Sequence, residues 1–489
     1  MTSGWWRMHG WPSDMLIRHS LLYLLSHVVT ALAAFLTLAA YTRWISAADY
    51  GVYSTLTALA SSANVILFNW LYVGILRYWN DSRTRPDSLQ GVVWGVLTGT
   101  GLLLLLLTGL VILLTGKPAL PLAFCALLLS GAVFTAIQRI HSISMQAGFY
   151  LRNEMLRVVL STALGLYLVW QGYSWYGIIL ATSLGFMLVP LFFTSGRSLL
   201  WQHAVRVERG LLLELLRYGL PLSITFMLLE VIHASDRVLL SQLAGLESTG
   251  QYAVAFSLPF QILVMVGSAV NMALYPHIMQ TLEQQGLEAT HHSLARYWLV
   301  LTGLLLPVWA GMCAVAEDFL PLLIGESFLS AALRLLPWAG LAVTLSCLYM
   351  FHTSLAFQLG KKTGQTILVV GAAAVLNILL NLWWIPVYGM DGALYASVLA
   401  YLFSVVFGHW LGRRCFFLPL PVRDTLKILV ATGGMLLLLH QLPLEHGLLQ
   451  GVARVLLGML CYAACLLLLN AGHVREYLYD RCKQFQVMT

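Results

Sequence analysis

Apolar residues form long continuous runs from Ile17 almost to the C-terminus, without alternating with polar residues. A run of about 20 apolar residues can cross a bilayer as one helix. Lipid-spanning barrels need alternating strands instead. The pattern therefore predicts an all-α integral membrane protein with about fourteen transmembrane helices. The predicted spans are residues 17–42, 51–79, 91–114, 118–145, 155–170, 174–195, 214–243, 250–280, 292–316, 330–357, 363–385, 390–412, 424–442 and 447–470.

The composition excludes a soluble protein. Of the 489 residues, 59% are hydrophobic and only 10% are charged, whereas soluble domains carry about 25% charged residues. No connection between spans is long enough to fold as a soluble domain. The first apolar stretch continues through Ala40, which is too long for a cleaved signal peptide, so we expect the first span to be retained.

The distribution of lysine and arginine predicts the orientation in the membrane. Of the 27 cations, 22 fall on the side that an even number of spans assigns to both termini. The other side carries only Arg43, Lys117, Arg237, Arg334 and Arg454. We therefore expect both termini to be cytoplasmic. The net charge of +7 reflects this bias and does not indicate a nucleic-acid partner.

Three short motifs recur in the same order in both halves of the chain. Tyr50-Gly51-Val52-Tyr53 matches Thr249-Gly250-Gln251-Tyr252, Gln146-Ala147-Gly148 matches Gln358-Leu359-Gly360, and 177–182 matches 392–397. Two copies of six spans keep the same orientation, which places the symmetry axis along the membrane normal. We therefore expect two pseudo-repeated six-helix lobes plus two C-terminal helices. The predicted boundaries are 1–195 for the first lobe, 196–213 for a cytoplasmic linker, 214–412 for the second lobe, and 413–489 for helices 13–14 and a cytoplasmic tail.

Residues around these motifs resemble one known family. They are Arg43 with Tyr50-Gly51-Val52-Tyr53, Asp236-Arg237 with Gly250-Gln251-Tyr252, and Asn381 with Ile385-Pro386 and Gly389-Met390-Asp391-Gly392-Ala393. The chain resembles the polysaccharide-flippase (Wzx-type) branch of the MOP exporter superfamily over residues 18–412. The resemblance implies two lobes around a central cavity and outward flipping of a polyprenyl-diphosphate-linked oligosaccharide by alternating access. It also implies a location in the bacterial inner membrane, with a polysaccharide polymerase or assembly proteins as candidate partners.

Ionisable residues in the seventh span are candidates for ion coupling. An ionised side chain at the bilayer centre costs about 2.5–3.5 kcal/mol on insertion scales, so each one needs a reason. Glu230 lies near the middle of this span, His233 and Arg237 follow on the same helix face, and Asp236 lies on an adjoining face. Glu230, His233 and Asp236 are therefore predicted to couple transport to proton or sodium entry. The alternative is an ion pair that only holds helices together.

Four arginines are candidates for binding the diphosphate, because a guanidinium matches phosphate oxygens in a bidentate way. They are Arg43, Arg77, Arg139 and Arg237. Arg77 and Arg139 lie where the charge bias places cations anyway. Asn64, Asn271 and Asn377 are candidates for sugar hydroxyls, although hydrogen bonds between helices are the commoner use of such residues. Tyr50, Tyr53 and Tyr252 are interpreted as aromatic residues of the membrane interface.

Two other activities are alternatives to transport. There is no Walker loop or HExxH motif in the sequence, so no cofactor or metal is expected. A drug or cation antiporter of the same superfamily is the closest alternative, with Glu230 and Asp236 as cation ligands. A membrane polymerase or glycosyltransferase is the third. Its catalytic loop would have to be Ala316–Leu329, which carries Glu317, Asp318 and Glu326 but is too short for a catalytic domain. We therefore do not expect an enzyme.

Overall fold

The structure is a computed structural model that describes residues 33–79, 86–144, 146–192, 208–442, 445 and 447–476. The start of the first predicted span, most of the predicted linker and the end of the C-terminal tail lie outside the described residues. The described residues are almost entirely helical and contain no β-strand. The all-α membrane architecture is therefore confirmed.

The helices follow the predicted spans closely. Residues 33–44 form α1, and a short helix, Ala316–Leu323, precedes the tenth long helix. The tenth helix passes through a π-helical segment at Tyr349–Thr353 and ends with Leu355–Leu359. The others are α2 Ala47–Tyr78, α3 Pro86–Thr115, α4 Ala119–Ile143, α5 Ala147–Trp170, α6 Ser174–Phe192, α7 Arg209–Leu243, α8 Leu246–Gln284, α9 Leu287–Ala314, α10 Glu326–Leu348, α11 Gly364–Tyr388, α12 Met390–Gly412, α13 Val422–Gln441 and α14 Leu448–Leu469.

Within the described part of the chain, eleven helices are long and apolar enough to cross a membrane. The helices α5 and α13 are not among them. Charged residues explain this difference, because the first half of each helix contains three of them: Arg152, Glu154 and Arg157 in α5, and Arg423, Asp424 and Lys427 in α13. The remaining residues of both helices are mostly apolar, although α13 ends with His440 and Gln441.

The chain divides into two compact units, and the division falls inside α7. In the described part, the first unit comprises the residues up to Ile45 together with Val52–Ala234. The second comprises Ser46–Gly51 and the residues from Ser235 onward. The predicted lobe boundaries at 195 and 214 stay a prediction.

The core of the first unit is formed by large apolar side chains of α2, α3 and α4. Phe68, Leu71, Ile75, Leu89 and Ile137 are fully buried there. In contrast, the second half of α3 exposes leucines along its length. An apolar face of that kind is compatible with lipid and not with water.

In the second unit, α8 packs against α10, α10 against α12, and α11 against α12. The α11–α12 turn is made by Gly389, whose φ of 57° favours glycine. A Cβ on Gly392 would lie 2.5 Å from the backbone oxygen of Trp384, so the two helices approach closely at that point. The pair α13 and α14 joins this unit through contacts with α9.

Two glycines of the repeated motifs contact each other within the second unit. A Cβ on Gly250 would collide with the backbone oxygen of Ala47, and a Cβ on Gly51 would collide with that of Leu246. The obstacle in both cases is backbone, which cannot rotate away as a side chain can. The repeated Gly-x-Tyr motifs therefore need glycine because the first turns of α2 and α8 touch through their main chains.

We expect Gly250→Ala to destabilise the protein by about 1–3 kcal/mol, as overpacking of a well-packed contact does. The midpoint of thermal unfolding in detergent measures this loss. Gly433→Ala in α13 is the matched control, because a Cβ there meets no atom within 4 Å and alanine favours helix over glycine. A Gly250→Ala protein as stable as the wild type would show that the backbones separate at no cost.

Candidate functional site

The carboxylate of Asp236 is the centre of a buried polar cluster in the second unit. Asp236 lies in the last third of α7 and is only 3% exposed. A buried charge is costly unless it is paired or hydrogen-bonded. The chain meets this requirement with hydrogen bonds from three other helices.

Tyr252 of α8 donates its hydroxyl to Oδ2 of Asp236 at 2.6 Å. Ser397 of α12 donates to the same oxygen at 2.5 Å. Asn381 of α11 donates Nδ2 to Oδ1 at 2.6 Å. Hydrogen bonds to an ionised acceptor are short and strong, so these three donors are suited to an ionised carboxylate.

A second layer of amide and hydroxyl groups surrounds these contacts. Asn377 and Asn381 are one helical turn apart and so share one face of α11. Oδ1 of Asn377 accepts from Ser235 at 2.8 Å and from Asn381 at 3.1 Å. Nδ2 of Asn377 contacts the hydroxyl oxygen of Ser397 at 3.4 Å. Every one of these groups is therefore oriented by a neighbour.

One oxygen in this cluster has no donor. Asn381 is fully buried, and both hydrogens of its amide are used on Asp236 and Asn377. Its Oδ1 has no hydrogen-bond partner among the described residues. A buried acceptor without a partner costs about 1–3 kcal/mol. The cluster thus holds a carboxylate and a free amide oxygen on adjacent groups, which are ligand types for a hard cation.

The structure brings together only some of the predicted site residues. Asp236, predicted for ion coupling, and Asn377, predicted for sugar binding, meet in this cluster. Arg237 is half-buried next to Asp236 on α7, and Glu230 and His233 are half-buried on the same helix, in the first unit. The roles assigned to these three residues stay predictions.

The other three candidate arginines belong to the first unit. Arg43, Arg77 and Arg139 are exposed. Arg43 donates to the backbone oxygen of Ala39 at 2.7 Å, and Arg77 lies 5.9 Å from the centre of the Tyr218 ring.

Asn64 and Asn271 both accept hydrogen bonds from buried tyrosines. Asn64 accepts from Tyr72 at 3.1 Å, and Asn271 accepts from Tyr297 at 3.1 Å. Tyr72 also donates to the backbone oxygen of Ala132 on α4 at 3.2 Å. The Asn271–Tyr297 bond joins α8 to α9, as the packing alternative requires, whereas Asn64 and Tyr72 both lie on α2.

The interpretation of Tyr252 as an interfacial aromatic residue is wrong. Its side chain is 2% exposed and donates to Asp236. Its ring stacks on Phe256 with centroids 5.8 Å apart. The signal in the sequence was its place in the repeated Gly-x-Tyr motif. Ser397 was missed as well, because serines in membrane helices usually bond to their own backbone.

A second buried charge pair joins α14 to the short helix before α10. Nη1 of Arg454 lies 2.7 Å and 2.6 Å from the two carboxylate oxygens of Asp318. The backbone N–H of Gly447 donates to Oδ1 of Asp318 at 3.2 Å. The side chain of Asp318 is 0% exposed. This carboxylate, which the enzyme alternative needed in a catalytic loop, is therefore enclosed and paired.

An open groove of about 400 Å³ lies between α9, α13 and α14. Arg454 is the only charged residue that lines it, and its guanidinium is engaged by Asp318. The remaining lining is almost wholly apolar. A sugar would therefore find few polar partners in this groove. In the described part of the chain, no three His, Cys, Asp or Glu residues are grouped as a metal site requires.

Comparison with known families decides the classification. The model of a family described as "Polysaccharide biosynthesis protein" matches residues 40–333, which is more than half of the chain. The chain belongs to this polysaccharide biosynthesis protein family. The match confirms the resemblance to a polysaccharide family that the sequence motifs indicated. The family match includes Asp236 and Tyr252, whereas Asn377, Asn381 and Ser397 lie beyond it.

Solved structures share the fold of this family member. The lipid II flippase MurJ, in an inward closed conformation, is 14% identical, with a TM-score of 0.74 over 94% of this chain and 100% of that one. A mutant of the Vibrio cholerae MATE transporter VcmN is 17% identical, with a TM-score of 0.53 over 82% of this chain and 96% of that one. An inward-facing MATE transporter of the MOP superfamily is 15% identical, with a TM-score of 0.50 over 84% and 97%. A search of curated protein sequences finds no match.

Proposed function

We propose that the protein flips a polyprenyl-diphosphate-linked oligosaccharide from the cytoplasmic to the outer leaflet by alternating access. Membership of the polysaccharide biosynthesis family is the observation that carries this proposal. The fold similarity to the lipid II flippase along nearly the whole chain supports it. The proposed location is the bacterial inner membrane, with both termini in the cytoplasm. A polymerase or assembly proteins would receive the flipped lipid.

Ion coupling is proposed to act through Asp236. A transported cation needs a site where charge and oxygen ligands replace its water. The carboxylate of Asp236 and the amide oxygen Oδ1 of Asn381 supply such ligands. The cluster is built by α8, α11, α12 and the end of α7 that belongs to the second unit. Glu230 and His233 stay candidates for the same pathway. We assign Asn377 to the ion site and not to sugar binding, because both ends of its amide are used within the cluster.

The diphosphate is proposed to contact Arg43, Arg77, Arg139 and Arg237. A guanidinium can bind phosphate oxygens in a bidentate way, which makes these four arginines the candidates in the chain for holding the diphosphate. Asn271 is assigned to helix packing, because Tyr297 of α9 donates a hydrogen bond to it, and Asn64 stays a candidate for contact with sugar hydroxyls.

An antiporter of drugs or cations is the second candidate, and its support is the fold similarity to VcmN. The cation-binding groups would again be Glu230 and Asp236. Against it, Arg43 and Arg237 would repel a cationic drug. An enzyme remains the least supported alternative, since Asp318 in its only candidate loop is held by Arg454.

Transport by the purified protein in vesicles tests the proposal. We expect a labelled lipid-linked oligosaccharide to change leaflets at a rate that rises with an imposed sodium or proton gradient, measured by a membrane-impermeant quencher of the label. Protein-free vesicles and vesicles without a gradient are the controls. Extrusion of a cationic dye with no movement of the lipid would favour the antiporter, and a change in sugar chain length would favour an enzyme.

A further inference from the structure

Two connections of the second unit form one surface at the predicted cytoplasmic face. The first follows Leu359 and leads into α11, and the second follows Gly412 at the end of α12. A Cβ on Gly360 would lie 2.9 Å from the backbone oxygen of Cys415. Sγ of Cys415 donates to the side-chain oxygen of Gln365 at 2.9 Å. The two connections are therefore in direct contact.

This surface carries four cations, two from each connection. Lys361, Lys362, Arg413 and Arg414 are all exposed, and we call them the basic patch. None of the four forms a salt bridge with a described residue. From Ser327 to Arg423 the only acidic residue is Asp391. It lies at the opposite end of α12, about 30 Å away at 1.5 Å per residue, and pairs there with Arg334.

The backbone holds one of these lysines in an unfavourable conformation. Lys361 has a φ of 53°, which costs a residue with a Cβ about 1 kcal/mol or more. The N–H groups of Lys361 and Lys362 bond back to Gln358 and Phe357, as in the glycine-ended helix terminus known as the Schellman motif. A lysine thus occupies the position that glycine normally takes.

Aromatic side chains place the patch at the depth of lipid headgroups. The guanidinium of Arg414 lies 4.6 Å from the ring centre of Trp410, and Trp410 is 51% exposed. Phe417 is also half-exposed and contacts His291 of α9. Exposed tryptophan next to a cation is characteristic of the boundary between hydrocarbon and water.

We propose that the basic patch binds the phosphate of a lipid in the cytoplasmic leaflet. Four cations without acidic partners, held together at headgroup depth, complement an anionic headgroup. The ligand chemistry is a lipid phosphate, supplied either by an anionic phospholipid or by the diphosphate of a polyprenyl carrier. The site relies on the proposed orientation of the chain and not on what the protein transports, so its failure and that of the proposed function are distinguishable.

Binding measurements on the full-length protein in a neutral detergent test this site. The probes are phosphatidylglycerol, undecaprenyl diphosphate and, as a zwitterionic reference, phosphatidylcholine. Each removed cation is expected to weaken binding about fivefold. The double variants Lys361→Gln/Lys362→Gln and Arg413→Gln/Arg414→Gln should therefore each bind about 25-fold more weakly. A loss for phosphatidylglycerol alone identifies a phospholipid site, and a loss for the diphosphate alone identifies a site for the carrier lipid.

A matched control separates this site from the general excess of cytoplasmic cations. Arg209→Gln/Arg423→Gln removes the same charge from two exposed positions outside the patch, and should change binding less than twofold. Lys361→Gly removes one cation while relieving the backbone, so it should bind fivefold more weakly in a protein at least as stable as the wild type. Equal losses in the control and patch variants, or no loss in the patch variants, would overturn the proposal.

Discussion

Asp236→Asn is expected to lower gradient-driven transport roughly 10- to 100-fold, because a hydrogen bond or ligand contact to a charged group is worth about 1.5–3 kcal/mol. The change removes the charge and keeps the shape. The Tyr252 and Ser397 hydroxyls can reverse and accept hydrogen bonds from the new amide, so the protein should still fold. Transport into vesicles at increasing sodium or proton gradients measures the loss, and thermal unfolding checks the fold.

Ser235→Ala is the matched control for this change. Ser235 neighbours Asp236 in sequence and donates to Asn377 at 2.8 Å, but it is not among the three donors to the carboxylate. We expect it to retain most of the transport rate. If the Asp236→Asn protein transported the lipid at the wild-type rate and with the wild-type gradient dependence, the cluster would only hold helices together. The coupling ion would then bind elsewhere.

Removing one partner of the Asp318–Arg454 pair is expected to destabilise the protein by about 3–5 kcal/mol, because the other charge is left buried and uncompensated. Asp318→Ala and Arg454→Met should both show this effect in thermal unfolding. The double variant Asp318→Leu/Arg454→Met should recover much of the loss, since apolar residues often replace a buried pair at little cost.

The exposed pair Arg334–Asp391 provides the comparison for the buried one. Its nitrogen and oxygen are 3.4 Å apart, and the Arg334 side chain is 57% exposed. Arg334→Gln should cost less than about 1 kcal/mol, as exposed pairs do. A cost for Arg454→Met no larger than that for Arg334→Gln would mean that α14 is held by its apolar contacts alone.

The pattern of the sequence predicted the helices well, because the length of an apolar run is set by bilayer thickness and needs no tertiary information. It also identified Asp236 as a residue that requires partners. It could not supply those partners. The packing of three further helices brings Tyr252, Asn381 and Ser397 to Asp236. The spacing of residues along the chain does not predict that packing.

The π-helical segment at Tyr349–Thr353 shows the same limit in the backbone. Its residues continue an apolar run without proline or glycine, and the run alone predicts an ordinary α-helix. The sequence alone could not predict the pairing of Asp318 with Arg454 either. The two residues are 136 positions apart in the chain and meet only because α14 packs near the start of α10.

The separation of Asp236 from its donors also affects biosynthesis. Asp236 enters the membrane with α7, whereas Ser397 lies 161 residues later in the chain. At about 5–20 residues per second, the ribosome needs roughly 8–32 s to make that stretch. Until both helices are made, the carboxylate lacks one or both of the donors Asn381 and Ser397, and other polar groups or water have to solvate it in their place. The hydrogen-bonded cluster around Asp236 can therefore be completed only after Ser397 has been made, when most of the 489 residues have been translated.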